Sequence, residues 1–218
     1  MTTPQSVRRF QVPFLLLATL TTAGGCALIH QIMAGDGPMV PPLYTGLTGK
    51  RVAVVCVVNS GSFGSETVGQ DIARRVARHL RGKVEQIELV RPEEVADWID
   101  QNNWDEERFV DVGRGVDADV VLAIEVNNFR LHEGPTLYRG QASIVVRVID
   151  VPSGGEILYD YDIPEMSFPP NIGIPTTDQT EASFRRIFVQ QLAYDVSKIF
   201  FEHPMAEDFA LDAAAHSR

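Results

Sequence analysis

The stretch from Lys50 to Val58 reads Lys-Arg-Val-Ala-Val-Val-Cys-Val-Val and carries the strongest strand signal of the chain. Nearly every residue after the first two is apolar, and most are β-branched, so both faces of the strand must be buried. Such a strand lies in the middle of a sheet and is covered by other elements on both sides. The stretch therefore predicts an α/β domain that is built around this strand.

Helices and strands alternate after this central strand. Apolar residues at a spacing of three or four predict an amphipathic helix from Ser65 to Leu80, with Gly82 as its C-cap. Pro92 is typical of the first position of a second helix. The remaining segments of this half predict a strand over 84–90, a short helix over 105–112 and a strand over 119–126.

The second half of the chain predicts antiparallel pairing. Residues 142–148 alternate between apolar and polar side chains, and Pro152–Gly155 is a turn that returns the chain as a hairpin. We also expect a loop or frayed strand tip over 129–138, an irregular exposed connection over 164–175 and a last helix over 180–201. The predicted fold class is α/β, a single mixed-sheet domain in the order β-α-β-α-(α)-β-β-β-α with helices packed on the sheet.

The first residues have the layout of an export signal. Arg8 and Arg9 precede a short apolar run, Val12–Leu20, and five small residues then lead to Cys26. The apolar run is shorter than the ~20 residues that a membrane-spanning helix needs. Small residues before a cysteine resemble the lipobox of bacterial lipoproteins, although Ala23 stands where that motif usually has Leu. The resemblance implies cleavage before Cys26 and lipid attachment to it.

Three other interpretations of this segment remain open. Cleavage after Ala27 would release a soluble protein, because Gly25 to Ala27 has the small-x-small pattern. An uncleaved anchor would use residues 10–33, although polar residues and glycines interrupt them. The pair Arg8-Arg9 is also compatible with twin-arginine export.

The lipoprotein interpretation divides the chain into four parts. They are a signal peptide over 1–25, the lipidated Cys26 with a flexible linker over 26–49, the α/β domain over 50–203 and a mobile tail over 204–218. The glycines and prolines before Lys50 are typical of a linker. A net charge of −10 argues against nucleic acid as a partner. Cys56 has no disulfide partner once Cys26 is acylated, and it is expected to be a small buried hydrophobe.

Candidate chemical sites are few. The loop Gly61–Gly64 lies between a strand and a helix, as phosphate-binding loops do, but it lacks the lysine of a P-loop. The five histidines have no metal-binding spacing, and the serines near this loop lack a G-x-S-x-G elbow. The sequence therefore predicts no enzyme, no cofactor and no metal site. An acidic cluster around Trp104 predicts a solvated helix start rather than a cation site, and its members are Asp100, Asp105, Glu106 and Glu107.

Three segments together resemble one family of envelope domains. They are Arg51–Val55, Gly113–Leu122 with its Gly-Val-Asp-Ala-Asp turn, and Val148–Leu158 with its Asp-Val-Pro-Ser-Gly-Gly turn. In this order they are similar to the domain shared by the TolB amino-terminal region, CsgG and LpoB. The resemblance implies a non-catalytic scaffold, assembly or secretion accessory factor of the bacterial envelope. It would face the periplasm and bind an envelope protein partner, with homo-oligomers as a further expectation.

The proline-rich connection contains apolar and aromatic side chains that suit a partner-facing patch or a cover for the core. The candidate partner patch consists of Met166, Phe168, Ile172 and Ile174. The alternative function is a small-molecule or nucleotide-binding domain, or an enzyme, that uses the Gly61–Gly64 loop.

Overall fold

Six strands form one mixed sheet in the computed structural model, which describes residues 38–59, 65–104 and 108–205. These residues belong to one unit that begins at Pro38. The strands are β1 (Met39–Val40), β2 (Arg51–Asn59), β3 (Glu88–Leu89), β4 (Val120–Glu133), β5 (Leu137–Asp150), β6 (Glu156–Phe168), β7 (Ile174–Pro175) and β8 (His203–Pro204). The helices are α1 (Ser65–Lys83), α2 (Pro92–Asn102), α3 (Phe109–Gly115) and α4 (Glu181–Ser197), which continues into a 3-10 turn (Lys198–Phe200).

The order of the sheet is β3-β2-β4-β5-β6, and β7 also pairs with β5. Strands β3, β2 and β4 run parallel, whereas β4, β5 and β6 form an antiparallel meander. The short strands β1 and β8 pair with each other in a separate two-stranded sheet. These features confirm the predicted α/β class with one mixed sheet and helices packed on it.

The apolar run of β2 is buried on both faces, as its composition predicts. Val52 and Val54 belong to the core under α1 and α4, whereas Ala53 and Val55 belong to the core under α2 and α3. Strand β5 differs because its apolar residues alternate, and only the side toward α1 and α4 is fully buried. The buried residues on that side are Ala142, Ile144, Val146 and Val148.

The start of β2 is held by a network around Arg51. Its backbone N–H donates to the Asp119 carboxylate at 2.8 Å, and its carbonyl accepts from the Asp119 N–H at 2.8 Å. The guanidinium donates to the carbonyl of Asp117 at 2.9 Å and pairs with Glu88 and Glu94. One side chain therefore joins β2 to β3, to α2 and to the turn before β4.

Two segments that we expected to be irregular are strands. Residues 129–138 continue β4 and β5 as one long hairpin, in which Leu131 and Tyr138 are buried and Gly134 takes the left-handed φ of +67° at the turn. Residues 164–168 extend β6, and Met166 is buried there. The expected irregular connection is therefore wrong for 164–168 and 174–175 and correct for 169–173, and the loop expected over 129–138 is a hairpin tip. Buried Tyr138 and Met166 hold these segments in the sheet despite a nearby proline or glycine.

Other boundaries also differ from the expectations. Gly82 lies inside α1 rather than capping it, and β3 is limited to two residues of the predicted 84–90 strand. Helix α4 starts after Thr180, whose hydroxyl accepts from the Ser183 N–H at 3.3 Å, but its α-helical part ends at Ser197 rather than 201.

Two glycines of α1 give a matched test of helix packing. A Cβ on Gly69 would lie 2.6 Å from the backbone oxygen of Cys56, whereas a Cβ on Gly82 meets nothing within 4 Å. We expect Gly69→Ala to lower the free energy of unfolding by about 1–3 kcal/mol because the β2 backbone has no room to move. Gly82→Ala should raise it by about 0.5–1 kcal/mol through helix propensity. Urea unfolding of both variants measures the pair, and equal effects would contradict this packing.

Candidate functional site

The outer edge of β6 is a strand surface left open by the described part of the chain. Strand β6 ends the sheet, and among the described residues no strand pairs with its outer side. Ile157, Leu158 and Tyr161 are 52%, 42% and 38% exposed on this strand. Exposed apolar residues on an unpaired edge are typical of a surface that is covered by another chain.

The charge of β6 is entirely negative. The strand has no Lys or Arg, and its four acidic residues are all exposed, namely Glu156, Asp160, Asp162 and Glu165. Pro164 lacks a backbone N–H and so limits uncontrolled pairing of this edge. The edge therefore combines apolar contacts with a negative field.

A column of aromatic rings connects β6 to the core. The Tyr161 and Tyr159 ring centroids are 6.2 Å apart, Tyr159 and Tyr44 are 4.8 Å apart, and Tyr44 meets Phe200 at 6.3 Å. Burial raises the pKa of Tyr44 and of Tyr159, with smaller contributions from Asp150 and Tyr161 respectively. Both phenols are therefore neutral at physiological pH. The rings of Tyr159 and Tyr44 pack between the exposed Tyr161 and the core.

The structure separates the residues of the candidate partner patch. Met166 is buried, and Phe168 and Ile174 pack against the core under α1 and α4, where Phe168 stacks 6.4 Å from Phe184. Ile172 is 69% exposed. Of the four, Ile172 is the most exposed, Phe168 and Ile174 are half-buried, and Met166 is buried.

The antiparallel strands carry polar side chains on the face opposite to α1 and α4, over the part of that face that α2 and α3 do not cover. We call this the polar face. Arg147 on β5 pairs with Glu125 on β4 and lies 3.5 Å from the Asp160 carboxylate on β6. Near the end of β2, Asn59 donates to the Asn127 side chain at 2.9 Å. The alternation of polar with apolar residues over 142–148 predicted an antiparallel strand, and it was also the signal that could have placed Arg147 on a shared polar face.

A cleft of about 880 Å³ lies between this polar face and α3. Asn59, Glu125 and Arg147 line its sheet side, and Trp104 and Arg108 line its opposite side. The Trp104 indole N–H donates to the Arg108 carbonyl at 2.9 Å, which fixes the ring at the cleft border.

Several predicted sites lie wholly or partly outside the described residues. They are Cys26, the Gly61–Gly64 loop and the acidic residues Asp105, Glu106 and Glu107, whereas Asp100 is exposed on α2. Within the described ranges no group of three or more His, Cys, Asp or Glu side chains is arranged to hold a metal ion. None of the described helices combines the length and apolarity needed to cross a bilayer.

The structure also describes the other residues considered as candidates, which are Cys56, two histidines and Asp119. Cys56 is half-buried on β2, and burial raises the pKa of its thiol. His132 is exposed near Glu181, and His203 is buried in β8. The Asp119 carboxylate accepts the backbone N–H of Arg51 at the start of β2.

No protein-family model matches the sequence, and no curated protein matches it. Among solved structures, the dodecamer of a PelC point variant from Paraburkholderia phytofirmans is similar, with 14% identity and a TM-score of 0.44 over 76% of this chain and 99% of that chain. Lipoprotein GNA1162 from Neisseria meningitidis has 14% identity and a TM-score of 0.45 over 67% of this chain and 97% of that chain.

The C-terminal domain of LpoB from Salmonella enterica is also similar, with 16% identity and a TM-score of 0.36 over 62% of this chain and 90% of that chain. Likenesses at these scores transfer no activity or partner to this chain.

His79 provides a pH-dependent test of the packing between α1 and α4. Its ring lies 5.4 Å from that of Tyr194, and burial together with Arg78, Arg75 and Lys83 lowers its pKa. The unfolded chain, with a His pKa near 6.5, binds the proton more readily, so stability is lost as the pH falls through that value. We expect the melting temperature of the wild type to fall more between pH 7.5 and 5.5 than that of His79→Gln. If the melting temperatures of both proteins fell equally with pH, the lowered pKa of His79 would be contradicted.

Proposed function

We propose that this chain is a lipid-anchored protein of the bacterial cell envelope that acts without catalysis. It binds another protein and serves as a scaffold, assembly or secretion accessory factor. Its partner is an envelope protein or a further copy of itself, and its domain faces the periplasm.

The anchor is inferred from the residues before the domain. The basic start, short apolar run and small residues before Cys26 form a signal peptide with a lipid-attachment cysteine. Residues 1–25 are then removed, and the segment after Cys26 is the tether. A single acyl chain holds a protein only marginally at a membrane, so more than one chain would be attached at this site.

The observation that carries the binding function is the open edge of β6. Ile157, Leu158 and Tyr161 are exposed on a strand that no described strand covers, and the acidic residues of β6 surround them. Apolar and aromatic side chains supply most of the energy at protein interfaces, and charges around them select the partner. We propose that the partner presents apolar residues with Lys or Arg beside them, and that Ile172 extends the contact beyond the strand.

Lipid anchoring predicts a simple change in location. Cys26→Ser removes the thiol that receives lipid, so the protein should move from the membrane fraction to the soluble or uncleaved fraction. Mass spectrometry of the amino-terminal peptide of the wild type should show acyl groups on Cys26. An unmodified amino terminus beyond Cys26 in the wild type, or unchanged membrane retention of the variant, would contradict anchoring.

The β6 edge predicts selective loss of the partner. Ile157→Lys places a charge among the contacts, and we expect it to reduce the co-purified envelope complex at least tenfold after cross-linking in membranes. Ile187→Lys is the matched control, because Ile187 is also an exposed apolar residue, at 39%, but lies on α4.

Cross-linked peptides that join two copies of this chain would identify a homo-oligomer, and peptides of another protein would identify a separate partner. Retention of the complex by Ile157→Lys, or equal loss with Ile187→Lys, would show that β6 is not the binding edge.

A further inference from the structure

The opposite edge of the sheet, along β2, is open over most of its length. Strand β3 pairs only with Arg51 and Val52 of β2. The carbonyls of Lys50 and Val52 face β3, since they accept from the backbone N–H groups of Glu88 and Val90 at 2.9 and 3.0 Å. The Arg51 carbonyl faces β4, where it accepts from Asp119. Backbone groups therefore alternate between the two sides of β2.

This alternation directs the N–H and C=O groups of Val54, Cys56 and Val58 away from β4. No backbone group of the described residues hydrogen-bonds to them on that outer side. Val54 and Val58 are nonetheless buried residues of the core. These backbone groups have no hydrogen-bond partner among the described residues, and an added strand would supply partners for them.

A groove of about 420 Å³ runs along this edge between α1 and α2. Its floor is β2 from Val54 to Val58, and its walls include the small or apolar side chains Ala73, Ala96 and Ile99. Val54 to Val58 spans about 13 Å at ~3.3 Å per residue, so the groove matches an extended peptide of about five residues. A Cβ on Gly69 of α1 would lie 2.6 Å from the Cys56 carbonyl oxygen, so α1 packs against this carbonyl. An added strand would therefore pair with the outward groups of Val54 and Val58 and with the Cys56 N–H.

The rim of the groove is mainly negative. Glu66, Glu93 and Asp97 lie along it, and Arg74, its one described cation, is 4.0 Å from the Asp71 carboxylate. A positively charged segment beside small apolar residues complements both the rim and the walls.

We propose that this groove binds an extended peptide segment of a partner protein as an additional strand on β2. The segment has small apolar side chains facing α1 and α2 and Lys or Arg residues at its ends. Such strand addition draws affinity from main-chain hydrogen bonds and specificity from the pockets for alternate side chains. The site is separate from β6 and requires neither the lipid anchor nor the β6 edge, so it goes beyond the function proposed above.

A phage-displayed library of random 12-residue peptides tests the proposal on the full-length protein in detergent. We expect enriched peptides to contain alternating small apolar residues and Lys or Arg. Hydrogen exchange with the best synthetic peptide should slow at the amides of Val54, Cys56 and Val58 by at least tenfold. Two results would overturn the proposal. One is slower exchange at the β6 amides in place of the β2 amides, and the other is failure of the library to yield peptides that prefer the wild type to the Ala96→Trp variant.

Variants then locate the bound peptide. Ala96→Trp fills the groove from α2 and should weaken peptide binding at least tenfold, whereas the matched control Ala182→Trp, on the exposed start of α4, should not. A second variant, Glu93→Lys combined with Asp97→Lys, changes only exposed charges at the groove rim, so it tests peptide binding there even if Ala96→Trp fails to fold. We expect this pair to weaken binding at least fivefold. Unchanged binding by a folded groove variant, or equal loss with Ala182→Trp, would place the peptide elsewhere.

Discussion

The Arg51 guanidinium joins the segments that fix the parallel half of the sheet. It meets Glu88 on β3, Glu94 on α2 and the carbonyl of Asp117, while its own backbone exchanges hydrogen bonds with Asp119. The hydrogen bond from the Arg51 N–H to the Asp119 carboxylate is partly buried and contributes about 1.5–3 kcal/mol, whereas the ion pair with Glu88 is largely exposed and contributes about 0–1 kcal/mol. The register of β2 against β4 follows from this junction, and that register decides which backbone groups of β2 face outward.

Coverage of the sheet is uneven, and this unevenness leaves surfaces for partners. Helices lie over both faces of β2, where the sequence is apolar at successive positions. On β5 and β6 the residues alternate, so one face joins the core under α1 and α4 while Arg147 and Asp160 remain half-exposed or exposed on the other. An antiparallel strand can leave one face in water. Strand β6 does so and also has no described neighbour on its outer side.

Strands β2 and β4 were predictable because their apolar residues follow one another without interruption. Helix α1 and the central part of α4 were predictable because their apolar residues recur every three or four positions. The strands over 119–126 and 142–148 were predicted, but their extension over 129–138 was predicted as a loop or frayed strand tip, because a bulge near Asn128, which has a left-handed φ of +56°, interrupts the alternation that identifies a strand. Met166 was placed in an exposed connection because Pro164 precedes it, yet it pairs with Ala142 of β5 in the core. The open edges were not predictable, because an edge depends on which strands are absent beside it, and sequence patterns describe only each strand itself.

Both open edges belong to the same rigid sheet but face opposite directions. Three inter-strand spacings separate β2 from β6, a distance of about 14 Å at ~4.8 Å per spacing, and the buried core on β4 and β5 lies between them. A segment bound along β2 therefore does not occupy the surface of β6, and both edges carry negative charge that favours basic partners. Under the two proposals the domain can hold two protein segments at once, which a single binding patch cannot do.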